Sequence, residues 1–157
     1  MKYPRIWIAA HGGPREVAVK KDTPPGILAI LADESDRTVR RFVAGNTSTP
    51  LDVLRRLEDD TSFFTLAGLA QNPKTPEEML RRLAEHDNRI VRAGVAMNPS
   101  APKDVLRKLL SDPSEYVRER LAENDGLPAD LLKRLALDAE EAVVLVARKR
   151  LRERRIK

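Results

Sequence analysis

A chain of 157 residues with 41% apolar residues has enough apolar content to pack a core, and its lack of cysteine excludes disulfides, thiolate-held zinc, iron–sulfur clusters and a thiol nucleophile. No apolar run nears the ~18 residues of a membrane span, and 4% aromatics leave few platforms for stacking bases. The formal charge of +5 is uneven: residues 148–157 carry +6, residues 1–21 carry +4, and the rest sum to −5, which argues against a phosphate grip along the whole length.

Residues 1–23 read as an N-terminal cap and half repeat. The run Ile6 to Ala10, behind Pro4 and Arg5, is too short for a secretory core, so a cytoplasmic chain is expected. Trp7 and Ile8 are expected to cover one end of the fold. His11 lies in the turn-like stretch AHGGP and reads as a loop residue. Residues 15–24 align with 40–50 as a second helix without its first.

From Pro24 onward the chain repeats every 26 residues, at Pro24, Pro50, Pro76, Pro102 and Pro128. Counted from each proline, offset 4 is Leu28, Leu54, Leu80, Leu106 and Leu132, and offset 7 is Leu31, Leu57, Leu83, Leu109 and Leu135. The expected repeats are 24–49, 50–75, 76–101, 102–127 and 128–151, with 152–157 a basic tail, all in one repeat domain. Each repeat reads as two helices. Proline opens the first, with Thr49 and Thr75 placed as N-caps. Offsets 3, 4, 7 and 8 form its apolar face. Acid four residues before base, as in Glu77 with Arg81 and Asp104 with Lys108, supports its solvent face. The second helix is expected to be short, with apolar offsets 14, 15, 18 and 19. It ends at an Asn column of Asn46, Asn72, Asn98 and Asn124, replaced by Arg150 in the last copy.

The copies differ in informative places. Residues 50–75 hold Glu58 where the first, third and fifth repeats have Ala, Thr65-Leu66 where others have Val-Arg, and the pair Phe63-Phe64. Phe64 takes a core offset, and Phe63 is expected to be exposed. Residues 128–151 replace Val-Arg with Val143-Val144. One helix pair cannot bury its own apolar face, but stacked pairs can, which gives an all-α solenoid.

The segment NPKTPEEMLRRLAEHDNRIVRAGVAMNPSAP (72–102), with its Asn-Pro, Thr-Pro, Leu-x-x-Leu-Ala and Val-Arg elements, resembles the leucine-rich repeat variant family. The resemblance covers residues 15–151. It implies a right-handed superhelix whose second segment is either α or 3₁₀. The iron–sulfur cysteine cluster of some members does not carry over, because this chain has no cysteine. The repeats are also similar to HEAT repeats, which serve as protein-binding scaffolds.

No constellation points to catalysis, so neither an enzyme, a cofactor nor a metal is expected. His86 takes offset 10, where other copies carry Glu or Asp, and reads as a capping or surface residue. Arg40, Arg92 and Arg118 of the Val-Arg pairs read as ion-pairing with acids near offsets 9–11, such as Asp33, Asp87 and Asp112. The Asn column reads as side chains bonding turn backbone. Offsets 13, 17 and 21 of the second helix remain as a candidate partner-binding stripe: Arg37, Arg41, Phe63, Ala67, Gln71, Arg89, Ala93, Met97, Glu115, Glu119 and Glu123. The stripe runs from basic through small and apolar to acidic, which suits a protein or peptide. The expected function is thus a non-catalytic scaffold. The alternative is a nucleic-acid-associated protein using Arg148, Lys149, Arg150, Arg152, Arg154 and Arg155.

Overall fold

A computed structural model describes residues 3–155, which are helical throughout apart from the connections. The helices are α1 (Tyr3–Ala10), α2 (Pro14–Val19), α3 (Pro25–Leu31), α4 (Arg37–Gly45), α5 (Leu51–Leu57), α6 (Phe63–Gln71), α7 (Glu77–Leu83), α8 (Arg89–Met97), α9 (Lys103–Leu109), α10 (Glu115–Glu123), α11 (Ala129–Leu135) and α12 (Glu141–Arg155). Neighbouring helices pack as in a solenoid. None is long and apolar enough to cross a membrane.

The chain divides into two compact units, Met1–Thr75 and Pro76–Lys157, and the boundary falls at a column proline. In the first unit, α2, α4 and α6 pack directly on one another. In the second, α8, α10 and α12 do the same. The odd-numbered helices make no comparable contact with each other. Each unit is therefore narrower along its even-numbered helices, which form its inner layer.

The core lies between the two layers. Leu28, Leu31, Leu54, Leu57, Leu80, Leu83, Leu106, Leu109, Leu132 and Leu135 are buried, as are Val39, Thr65, Val91, Val117 and Val143 opposite them. Each large side chain so buried contributes on the order of 1.5–3 kcal/mol. Ile8 is buried and Trp7 half-buried where α1 packs on α2. Gly12 and Gly13, at φ +103° and +91°, make the left-handed link between α1 and α2 that an L side chain would strain.

Several local expectations need correction. The even-numbered helices are not the shorter ones: α4, α6, α8 and α10 are nine-residue α-helices, while α5, α7, α9 and α11 have seven residues. Thr49 and Thr75 do not cap α5 and α7. Each turns its hydroxyl back to the last turn of the preceding helix, donating to the carbonyls of Val43 and Leu69 at 2.6 Å. The column proline itself takes the N-cap position, where no N–H is needed. The side-chain caps belong to the inner helices instead: Asp36 accepts from the Thr38 N–H and Asn88 from the Ile90 N–H, both at 2.8 Å.

Offset 14 is not a core position either, since Ile90 and Tyr116 there are exposed. Ala44, Ala70, Ala96 and Ala122, at offset 20, take the place expected for it and are fully buried. On the outer layer, Glu77 pairs with Arg81 at 3.5 Å, but Lys108 reaches Glu85 at 2.8 Å rather than Asp104. Asp104 pairs with Arg81 and Asp33 with Arg56, both between successive helix pairs.

Candidate functional site

Two sets of polar side chains recur within each unit, and both are engaged with the protein's own backbone. In the first, the guanidinium of Arg40 meets both carboxylate oxygens of Asp60 at 2.6 and 3.3 Å. Arg92 meets Asp112 at 2.7 and 3.0 Å, and Arg118 meets Asp138 at 2.8 and 2.9 Å. These pairs are bidentate and span 20 residues, one repeat onward. Ion-pairing was expected; of the named acids, only Asp112 is a partner.

Each arginine also donates to loop carbonyls: Arg40 to Glu34 and Ser35, Arg92 to His86 and Asp87, and Arg118 to Asp112. The aspartates turn back to the turn that leads into each inner helix, accepting from the N–H of Ser62, Ser114 and Glu140. His86 substitutes for aspartate in that turn, with its Nδ1 accepting from the Asn88 N–H at 3.0 Å.

The electrostatics follow from this geometry. Burial pushes the Asp60 carboxyl up, but the Arg40 guanidinium and the Ser62 N–H outweigh it and hold it below the usual carboxylate range. Arg118 holds Asp138 below that range against the opposing effect of burial. These charges are fixed by one another inside the fold.

The second set is the Asn column. The Asn72 amide donates to the carbonyls of Ala44 and Asn46 at 2.7 and 2.9 Å, and Asn124 to those of Ala96 and Asn98 at 2.7 and 3.2 Å. Asn46 does the same to Ala18 and Lys20. Their Oδ1 atoms accept from the turn N–H two residues on. The expected turn bonds are present, and the amide also reaches back one repeat, satisfying carbonyls at the end of the preceding inner helix.

Arg150 and Arg154 continue this pattern at the end of the chain. Arg150 donates to the Glu123 carbonyl and pairs with Asp125, and Arg154 donates to Leu127, Asn124 and Asp125. Arg148, Lys149 and Arg152 are exposed, and the side chain of Arg155 lies outside the described residues.

A solved structure described as a leucine-rich repeat variant with a novel repetitive protein structural motif is similar to this chain. The match has 30% identity and a TM-score of 0.60, and covers 89% of this chain and 58% of that one. The fold is that of a leucine-rich repeat variant. No protein-family model and no curated protein matches the chain. A little over half the length of the solved leucine-rich repeat variant is thus spanned here.

Within this variant fold the candidate stripe falls on the inner layer. In the first unit Arg37, Arg41 and Gln71 are exposed. Phe63 is half-buried rather than exposed, because its ring lies against Phe64 at 4.1 Å between centroids. In the second unit Arg89, Met97 and Glu115 are exposed, and Glu119 and Glu123 are half-buried beside Arg120, which pairs with both. Ala67 and Ala93 do not reach solvent, at 4% and 3% exposure, whereas Arg41 and Leu145 at the same offset are exposed.

The inner layer also presents groups outside the stripe. Tyr116 lies beneath the guanidiniums of both Arg89 and Arg120, at 5.5 and 5.4 Å. Val19, Ile90 and Leu145 are exposed as well. Ile90 and Tyr116 share offset 14, which a helical wheel centred on the buried Val-Ala pair, offsets 15 and 20, would have turned outward. Among the described residues no group of three His, Asp or Glu is placed to hold a metal ion. His11 is also committed locally: Nδ1 lies 2.7 Å from the Trp7 carbonyl, and its ring stacks on the indole at 3.9 Å.

Proposed function

We propose that this chain is a non-catalytic scaffold that holds a protein or peptide partner on its inner helix layer. One observation carries the reading. Among the described residues, five of the eight exposed large apolar side chains, Val19, Ile90, Met97, Tyr116 and Leu145, are on inner-layer helices, whereas α3, α5, α7, α9 and α11 show only Leu51. Apolar side chains held in water on one layer favour a partner that covers them. The arginine–aspartate ladder supports a structural rather than catalytic use of the strongest charges. The same reading carries the right-handed superhelix and the five-repeat count with it, in a cytoplasmic setting.

Arg150 and Arg154 favour a capping role for the basic end over a nucleic-acid arm, since both are bonded to backbone carbonyls. The test is selection of peptides from a random displayed library on the full chain, followed by reversal of Arg41→Glu with Glu119→Lys. Capture should be lost with the melting temperature little changed. Capture that survives the reversal, or a library that yields no binder, overturns the reading.

A further inference from the structure

In the first unit, α4 and α6 together carry three arginines and no acidic residue. Arg40 is engaged with Asp60. Arg37 stacks over Phe64 at 5.1 Å with its donors unused, and Arg41, one turn along the same face, makes no ion pair or hydrogen bond among the described residues. Beside Arg41 lies an open notch lined by Val19, Phe42, Gly45, Gly68 and Gln71. Its floor is backbone: a Cβ at Gly45 would sit 3.8 Å from the Gly68 carbonyl oxygen, in ordinary contact, and would project into the notch. Asn46 lines it too, but its amide is already spent on Ala18 and Lys20.

We infer that this face takes an acidic peptide segment, whose carboxylates meet Arg37 and Arg41 while an apolar side chain enters the notch over Gly45. The inference rests on the peptide-scaffold reading and adds the partner's chemistry. Three features select it. Two unpaired guanidiniums on a helix that carries no acid attract anions and repel basic chains. Val19 and Phe42 offer an apolar wall that a phosphate backbone would not use. The aromatic pair Phe63 and Phe64 is half-buried and packed together at a 33° tilt, so it offers no open ring to a base. The Gln71 amide, exposed at the far end, can donate to and accept from a peptide group.

The test measures fluorescence anisotropy of labelled peptides on the full chain. The probes are a short peptide mixing Glu with Leu and Ala, matched peptides with every Glu replaced by Gln or by Lys, and oligo-dT of equal charge. The acidic peptide should bind at least about tenfold more tightly than its Gln and Lys counterparts, and more weakly as salt rises. Arg37→Glu with Arg41→Glu should weaken it at least about tenfold. Arg37→Gln with Arg41→Gln serves if the reversal fails to fold.

Gly45→Leu changes no charge. It should weaken binding comparably by filling the notch, with the melting temperature unchanged or raised. Lys133→Glu with Arg134→Glu, exposed on α11, should leave binding as it was. Equal binding by the arginine variants, or oligo-dT in place of the acidic peptide, overturns the inference. Preference for the Gln or Lys peptide overturns it too but leaves the scaffold reading standing, whereas failure of every peptide sinks both.

Discussion

Asn124 shows what one side chain does in this protein. It is buried, donates two hydrogen bonds to carbonyls of the previous repeat and accepts one from the Gly126 N–H at 2.7 Å. Asn124→Ala would leave the carbonyls of Ala96 and Asn98 in a dry seam without a donor, a loss of about 2–4 kcal/mol in urea-monitored stability. A near-neutral result would mean that water replaces the amide. The column was legible as an asparagine repeat and as turn chemistry. Its reach across the repeat was not, because side-chain spacing along the chain carries no information on how closely the next helix pair docks. The same limit applies to Arg40, Arg92 and Arg118. Ion-pairing could be read from their recurrence, but offset 10 of the following repeat could be chosen as partner only once the pairs were stacked.

At the scale of the helix, two glycines in neighbouring elements make opposite predictions. A Cβ on Gly68 of α6 would lie 2.5 Å from the Arg41 carbonyl oxygen of α4, backbone that cannot turn aside. Gly68→Ala should therefore force the helices apart and destabilise by about 1–3 kcal/mol despite alanine's better helix propensity. Gly45 of α4 has room and is exposed, so Gly45→Ala should stabilise by about 0.5–1 kcal/mol. Thermal denaturation of the two variants compares them directly; equal signs would contradict the close approach of α4 to α6. The stripe at offsets 13, 17 and 21 was sound periodicity, but at offset 17 Ala67 and Ala93 are covered while Arg41 and Leu145 stay exposed. Helical periodicity gives a face relative to its own core. It does not say how much of that face the next helix hides.

For the molecule as a whole, the ladder predicts a pH dependence. Asp60 and Asp138 have carboxyls depressed below their ordinary value in the folded state. A depressed folded pKa contributes stability that is fully present above the unfolded carboxylate value of about 4 and is lost as pH falls through the folded value. Urea midpoints should accordingly stay level from neutral pH to about pH 5 and then decline. Arg118→Leu removes the main cause of the Asp138 depression, so the variant should be less stable at neutral pH, with the gap to the parent closing as the solution is acidified. A constant gap at every pH would show that the pair contributes packing alone.

The amino-acid sequence by itself determined the helical character, the 26-residue period, the buried leucine columns and the resemblance to leucine-rich repeat variants. These depend on local backbone preference and on apolar spacing, and both are written along one chain. Only the tertiary structure decided which helices form the inner layer, which acid each arginine meets, and that Arg150 and Arg154 bond carbonyls at the end of the stack. It also decided that Arg37 and Arg41 stand unpaired on α4, with Arg41 beside a glycine-floored notch. Those outcomes depend on distances between residues about 20 to 30 positions apart, set by how side chains of adjacent helix pairs fit together.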